Sequence, residues 1–338
     1  MSSVTCRPAT VEDVARARAG GLTDVQPDRW RDGDNRRSLI AVGTDGALLG
    51  HCRGIDNVFH PDSRTYVQEI APSVPRGPSW AEVADALLAA QRAVSTLPLR
   101  MKPQAHEEEL IALAARHGGA VIQLMPPWRH LVDATLRSWA QDHAMTADGL
   151  RAEIVERAAV NDDTVHELML GLYVEHYTAQ HARWSPAAAP DRLREENAPD
   201  FVPGAAGAFD PRRTATLRRG GQIVAQALVW PPEPDGAAEV TLESRPYEGP
   251  TTRADMAACL AAVVEASADG DVLLIDSHLT EPCESALLRN VPKPSGENQD
   301  PWTAIVAIPV PGRPVPAPLP VKLVPEEPAR AFAAMLGA

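Results

Sequence analysis

The apolar positions of the chain change period several times, and each change marks an element. Thr10 and Asp13 stand three apart before Val14 and Ala15, the spacing of a capping box that opens a helix. Two short apolar runs, 38–42 and 47–51, flank Thr44-Asp45-Gly46 and predict a hairpin. Further on, the pattern predicts a strand over 66–71, a helix over 81–94, a strand over 97–101 and a helix over 107–117 that stops at Gly118-Gly119. The second half repeats this succession. Thr164 and Glu167 predict a capping box for a helix to about Arg183, followed by strands over 214–217, 223–230 and 239–243. A helix over 253–266, a strand over 272–275 and a helix over 282–288 complete it. Meandering strands followed by alternation with helices define an α/β chain, a mixed sheet flanked by helices.

The succession is also a degenerate internal repeat. Arg76-Gly77-Pro78-Ser79 leads into an apolar helix, and Glu248-Gly249-Pro250-Thr251 does so 172 residues later. Pro127-Trp128 returns as Pro301-Trp302, and the apolar run at Leu99 returns at Leu273, both at an offset of 174. Two copies of one domain follow from this order, over 1–145 and 146–310. A tail over 311–338 follows. Residues 309–328 carry eight prolines and are expected to run extended, before a short helix near 329–336.

Composition narrows the function. A formal charge of -13 repels nucleic-acid backbones and anionic lipid, so neither is an expected partner. The four cysteines lack any C-x-x-C spacing, which fits a reducing, cytoplasmic setting. No apolar run reaches the roughly 20 residues of a membrane span. There is no H-E-x-x-H, no Walker-type loop and no G-x-S-x-G elbow, so the expected site holds no metal.

The order helix, hairpin, strand, glycine loop, helix, strand, helix resembles that of the GNAT (GCN5-related N-acetyltransferase) superfamily in its tandem, two-domain form. The opening Arg7-Pro8-Ala9-Thr10 is similar to the usual start of such domains. The best single match is the stretch Ile70, Ala71, Pro72, Ser73, Val74, Pro75, Arg76, Gly77, Pro78, Ser79, Trp80, Ala81. The family's Gln/Arg-x-x-Gly-x-Gly/Ala ends there as Arg76, Ser79 and Ala81, with serine in place of the central glycine. The resemblance implies an acyltransferase that moves an acyl group, acetyl above all, from acetyl-CoA or another acyl-CoA to the amine of a small metabolite.

In that frame Ile70, Ala71, Val74, Arg76, Gly77 and Ser79, with Trp80 and Ala81, are the cofactor-binding candidates. A helix N-terminus reached through a glycine loop offers N–H groups and a positive dipole end to a pyrophosphate. In the second copy Glu248 and Arg253 replace the favourable residues, which makes the first copy the better donor site. Acyl transfer needs a base, and Glu69 on the strand before the loop is its candidate, with Glu243 on the corresponding strand of the second copy. Along 165–184, His176 falls on the apolar stripe, while Tyr173, Tyr177 and His181 form a second row at i, i+4, i+8. His176 and His181 are further catalytic candidates. Tyr173, Tyr177, Trp184, Glu243 and His278 are expected to line the acceptor pocket. The second copy spends 85 residues from Thr164 to Gly249, against 67 from Thr10 to Gly77, and the surplus falls mainly in 185–210. The tyrosine that usually protonates the leaving thiolate in this superfamily is missing from both copies. That leaves two alternatives open. One is the same fold with an aminoacyl-tRNA or carrier-protein thioester as donor, with Arg212-Arg213 and Arg218-Arg219 as the only basic patch; the other is a non-catalytic binding protein.

Overall fold

The computed structural model describes residues 4–29, 37–156, 163–202, 204–293 and 301–337. Its contacts divide the chain into two units, Met1–Gln123 with Thr303–Ala338, and Leu124–Trp302.

The first unit is a seven-stranded mixed sheet. Its chain order is β1 (Thr5–Pro8), α1 (Val11–Ala19), β2 (Ser38–Val42), β3 (Leu48–Asp56), β4 (Arg64–Ile70), α2 (Pro78–Val94), β5 (Leu99–Met101), α3 (Glu108–Arg116) and β6 (Ala120–Met125). The capping box forms as expected: the Asp13 backbone N–H donates to Thr10 Oγ1, and the Thr10 N–H donates to Asp13 Oδ2. β1 to β4 are antiparallel neighbours, and β4 then pairs in parallel with β5. The helix α2 lays Val83, Ala84, Leu87 and Leu88 against this sheet, which is why its apolar stripe has helical period. Gly54 on β3 has no alternative, because a Cβ there would meet Gln91 Nε2 at 2.3 Å and Arg64 Cδ at 2.7 Å. Beside it the buried Arg64 donates to Asp56 and Ser95.

The second unit is a six-stranded sheet. In chain order it runs β7 (Arg129–Leu131), α4 (Ala134–His143), β8 (Glu153–Ile154), α5 (Asp163–His181), α6 (Pro190–Asn197), β9 (Ala215–Arg219), β10 (Gln222–Pro232), β11 (Ala238–Ser244), α7 (Thr252–Ala266), β12 (Val272–Asp276) and α8 (Pro282–Leu288). β8 to β11 are antiparallel neighbours and β11 pairs in parallel with β12, as β4 does with β5. The helix α7 buries 10 of its 15 residues because α4 covers the side turned away from the sheet. An all-round apolar helix is the sequence consequence of that sandwiching. Asp255 on α7 is held by a bidentate Arg219 at 3.1 Å.

Three features depart from the sequence expectations. Thr164 lies inside α5 and not at its cap. The domain boundaries differ from 1–145 and 146–310, because β13 (Thr303–Ile308), from the end of the chain, lies between β5 and β6 of the first sheet, while β7 pairs with β12 of the second. Each sheet thereby takes a strand from a segment that periodicity assigns to the other copy. The tail is no separate appendage either. Leu319 donates to Val121 O at 2.7 Å, and Phe332 is fully buried within the first unit. A helix α9 (Glu326–Ala331) lies slightly earlier than expected.

A cleft between splayed strands as the candidate active site

In the first unit β4 and β5 are paired only at Arg64 with Leu99 and Thr65 with Arg100. Beyond those positions the two strands part, and the backbone of β4 turns its free edge into a cleft of about 580 Å³. Gln68, Glu69 and Ile70 form one wall, and Arg76 and Trp80 the mouth. The segment from His106 to Leu110, which starts α3, forms the other wall. Gly77 is the N-cap of α2 with φ of 87°, a left-handed conformation that glycine adopts without a Cβ penalty. Pro78 then starts the helix with the φ a first turn requires.

Of the cofactor candidates, Ile70, Arg76 and Trp80 line this cleft, and the Arg76 guanidinium stands 5.7 Å from the Trp80 ring centroid. Gly77 and Ser79 are exposed at its mouth and Ala81 is half-buried one turn on. Ala71 and Val74 turn away, toward a small core with Ala17, Leu22 and Ile40. Their N–H groups are also committed, Ala71 to Leu49 O and Val74 to Ala71 O. An anion already sits at the loop. Glu109 of α3 accepts from the Gly77 N–H at 2.9 Å and from Arg76 at 2.6 Å. The Gly77 N–H, ahead of the Arg76 guanidinium, holds its carboxyl below the usual range, against a small opposing effect of burial.

Glu69 reaches the cleft wall as a heavily bonded carboxylate. It accepts from the Thr23 N–H at 2.9 Å, the Asp24 N–H at 3.3 Å and Thr23 Oγ1 at 3.2 Å. His51, its cross-strand partner on β3, lies 2.9 Å away through Nε2. Burial alone would raise the Glu69 pKa, but these bonds outweigh it and the carboxyl is held below its ordinary value. His51 is 1% exposed and burial pushes its pKa down, so it is a neutral imidazole at pH 7. Sequence reasoning missed His51. Only the β3–β4 register reveals it, a pairing that spans the long connection over 57–63.

In the second unit the side chains named for the acceptor pocket do converge. Along α5 the rings of Tyr173, Tyr177 and His181 stack in sequence, with centroids 5.7 and 4.0 Å apart, and Trp184 and His278 close on His181 at 4.7 and 5.3 Å. His176 and His181 are 3% and 4% exposed. His176 Nδ1 accepts from the Ser244 N–H at 3.1 Å, on the last residue of β11, and burial lowers its pKa. Glu243, beside it on the strand, accepts from Gln226, and its burial pushes the carboxyl up to about 8.

Just beyond the end of β12 the chain carries a buried acidic cluster. Glu281 and Glu284, both 2% exposed, lie there with His278, whose Nδ1 is 3.0 Å from Glu281 Oε1. Ser277 and Gln180 also donate to Glu281. Burial raises Glu284 far above an ordinary carboxyl, and the adjacent Glu281 adds to the effect. Glu284 therefore carries the proton and Glu281 the charge. Sequence reasoning missed this pair, because acids at the start of a helix read as solvated first-turn residues. Among the described residues no cluster of His, Cys, Asp or Glu could hold a metal ion, and no helix is long and apolar enough to cross a membrane.

The element order and the glycine loop feeding a helix are the arrangement that the GNAT resemblance implies. No family model matches the chain, and no curated protein matches it. Among solved structures it is similar to a GCN5-related N-acetyltransferase from Sphaerobacter thermophilus, at 12% identity over 91% of this chain and 96% of that one, with a TM-score of 0.45. A GNAT-family acetyltransferase from Colwellia psychrerythraea matches at 10% identity over 90% and 98%, with a TM-score of 0.46. A GCN5-related N-acetyltransferase from Anabaena variabilis matches at 11% over 90% and 73%, with a TM-score of 0.44. At these identities no residue role is carried over from them.

Proposed function

We propose that the protein is an N-acyltransferase whose first unit binds an acyl-CoA donor in the cleft between β4 and β5 and passes the acyl group to the amine of a small metabolite. The observation that carries the reading is the early parting of β4 from β5 beneath a loop that already holds an anion at Gly77 and Arg76. The parted strand edge suits an extended pantetheine-like chain, whose amides can pair with backbone, and the loop suits its phosphates.

In the reaction the amine nitrogen attacks the thioester carbonyl carbon. For this the substrate ammonium first gives one proton to the base; the C–N bond then forms, the C–S bond breaks, and the second nitrogen proton leaves with the sulfur as the thiol. Glu69 lines the cleft as an ionised carboxylate, and we assign it to hold the ammonium or a bridging water and to take up the proton. His51 stands behind it and fixes its orientation. His176 and His181, walled in by the second unit, brace that unit in this reading. Tyr173 and Tyr177 are half-buried in the ring row, and Trp184, Glu243 and His278 are buried in the same unit.

Calorimetric titration with CoA tests the donor site. In Gly77→Glu a carboxylate stands where phosphates would bind, at a backbone angle that strains any side chain, and affinity should fall at least tenfold, or about 1.4 kcal/mol. Gly249→Glu, in the second unit, should leave CoA affinity unchanged while lowering stability, because its Cβ meets Pro246 Cγ at 2.9 Å. The opposite ranking would move the donor to the second unit.

A further inference from the structure

We propose that the Glu109 carboxylate is a built-in competitor for the donor's pyrophosphate, so that this one residue sets the donor affinity of the first unit. The inference rests on the donor reading of the cleft given above.

Glu109 takes the two groups at the mouth that favour an anion. One carboxylate oxygen receives the Gly77 N–H and the other the Arg76 guanidinium. A carboxylate and a phosphate present the same paired acceptor oxygens to such donors, so they compete for one place. Among the described residues that line the cleft, His106 aside, no other basic side chain stands beside Arg76. Glu107 is tied to the Gln104 N–H at 2.8 Å, Glu108 is exposed on the same wall, and Glu69 faces the same space. With Glu109 in place, the positive end of α2 is already neutralised before a donor arrives.

The occupant can also leave. The Arg76 side chain is 78% exposed and that of Glu109 33%, and an exposed ion pair of this kind holds weakly. Pyrophosphate carries more charge than a carboxylate and can displace it, at a cost in affinity equal to the contacts Glu109 gives up. Donor fragments without phosphates do not incur that cost.

The experiment measures binding of CoA and of pantetheine, which lacks every phosphate, to the wild-type protein, Glu109→Gln and Glu108→Gln by calorimetry, with thermal melts in parallel. Glu109→Gln should bind CoA at least tenfold more tightly and pantetheine within twofold of wild type. Glu108→Gln removes the same charge from the same wall without freeing the loop, and its CoA affinity should stay within threefold. Equal CoA affinity in wild type and Glu109→Gln, an equal gain for pantetheine, or an equal gain in Glu108→Gln would each overturn the inference while leaving the donor site standing. Failure of all three proteins to bind CoA at millimolar concentration would overturn the donor reading itself, and the competitor with it.

Discussion

At the residue scale, two buried groups of the second unit make measurable demands. Glu243 keeps its proton up to about pH 8 in the folded chain, whereas an unfolded glutamate releases it near the ordinary value of 4.5. Between those values the unfolded state binds fewer protons, so stability falls as pH rises through that window and levels off above it. Each pH unit crossed within the window removes on the order of 1.4 kcal/mol, a few kcal/mol in all. Comparison with Glu243→Gln separates this carboxyl from the other groups that titrate in the same range. Melting temperature measured from pH 6.5 to 8 should therefore fall less steeply in Glu243→Gln than in the wild type. Equal slopes would mean that Glu243 is hydrated and ionised. His176 makes the second demand. Its Nδ1 is the acceptor for the Ser244 N–H, and His176→Ala leaves that donor buried and unpaired, for a loss of about 1 to 3 kcal/mol in chemical denaturation. Turnover falling while stability holds would instead return His176 to the reaction.

At the scale of elements, β13 is the strand on which the first unit depends most visibly. Ala304 through Ile308 are buried, Val306 and Ile308 completely, and the strand lies between β5 and β6. Val306→Asp would place a charge with no partner on a buried internal strand, a loss of about 3 kcal/mol or more. Hydrogen exchange followed by mass spectrometry should show protection lost in β5 and β6 and retained in β10 and β11. Uniform loss across both sheets would show that the two units unfold as one. The same strand explains a limit of sequence reading. Its residues are as apolar as any internal strand, but the ladder joins Val306 to Met101, more than half the chain away, and no local pattern encodes a partner at that distance.

For the whole molecule, both units carry a parallel strand pair after an antiparallel meander, β4 with β5 and β11 with β12. In the first unit a cleft opens beside β4. In the second, Glu281, Glu284 and His278 are buried just beyond β12, with His278 Nδ1 3.0 Å from Glu281. Calorimetry with CoA should give one site per chain, and a value of two would mean that the second unit also admits a donor. The formal charge of -13 sharpens this expectation, since a polyanionic donor is retained only where local donors outweigh the overall repulsion.

The sequence by itself determined the local elements. The capping box at Thr10, the Thr44-Asp45-Gly46 hairpin, the apolar stripe of α2 and the glycine before it are all set by interactions within a few residues. The internal order of strands and helices followed, and with it the resemblance that pointed to a donor loop at Arg76 and Gly77. The ring row on α5 was legible for the same reason, because helical spacing stacks i and i+4. Tertiary structure alone decided the rest. It brought His51 to Glu69 through a strand register and Glu109 to Gly77 across 32 residues, and it buried His278, Glu281 and Glu284, which already stand three apart in sequence. Such contacts depend on where two elements end up packing and on how far that packing excludes solvent, and neither is encoded in local sequence.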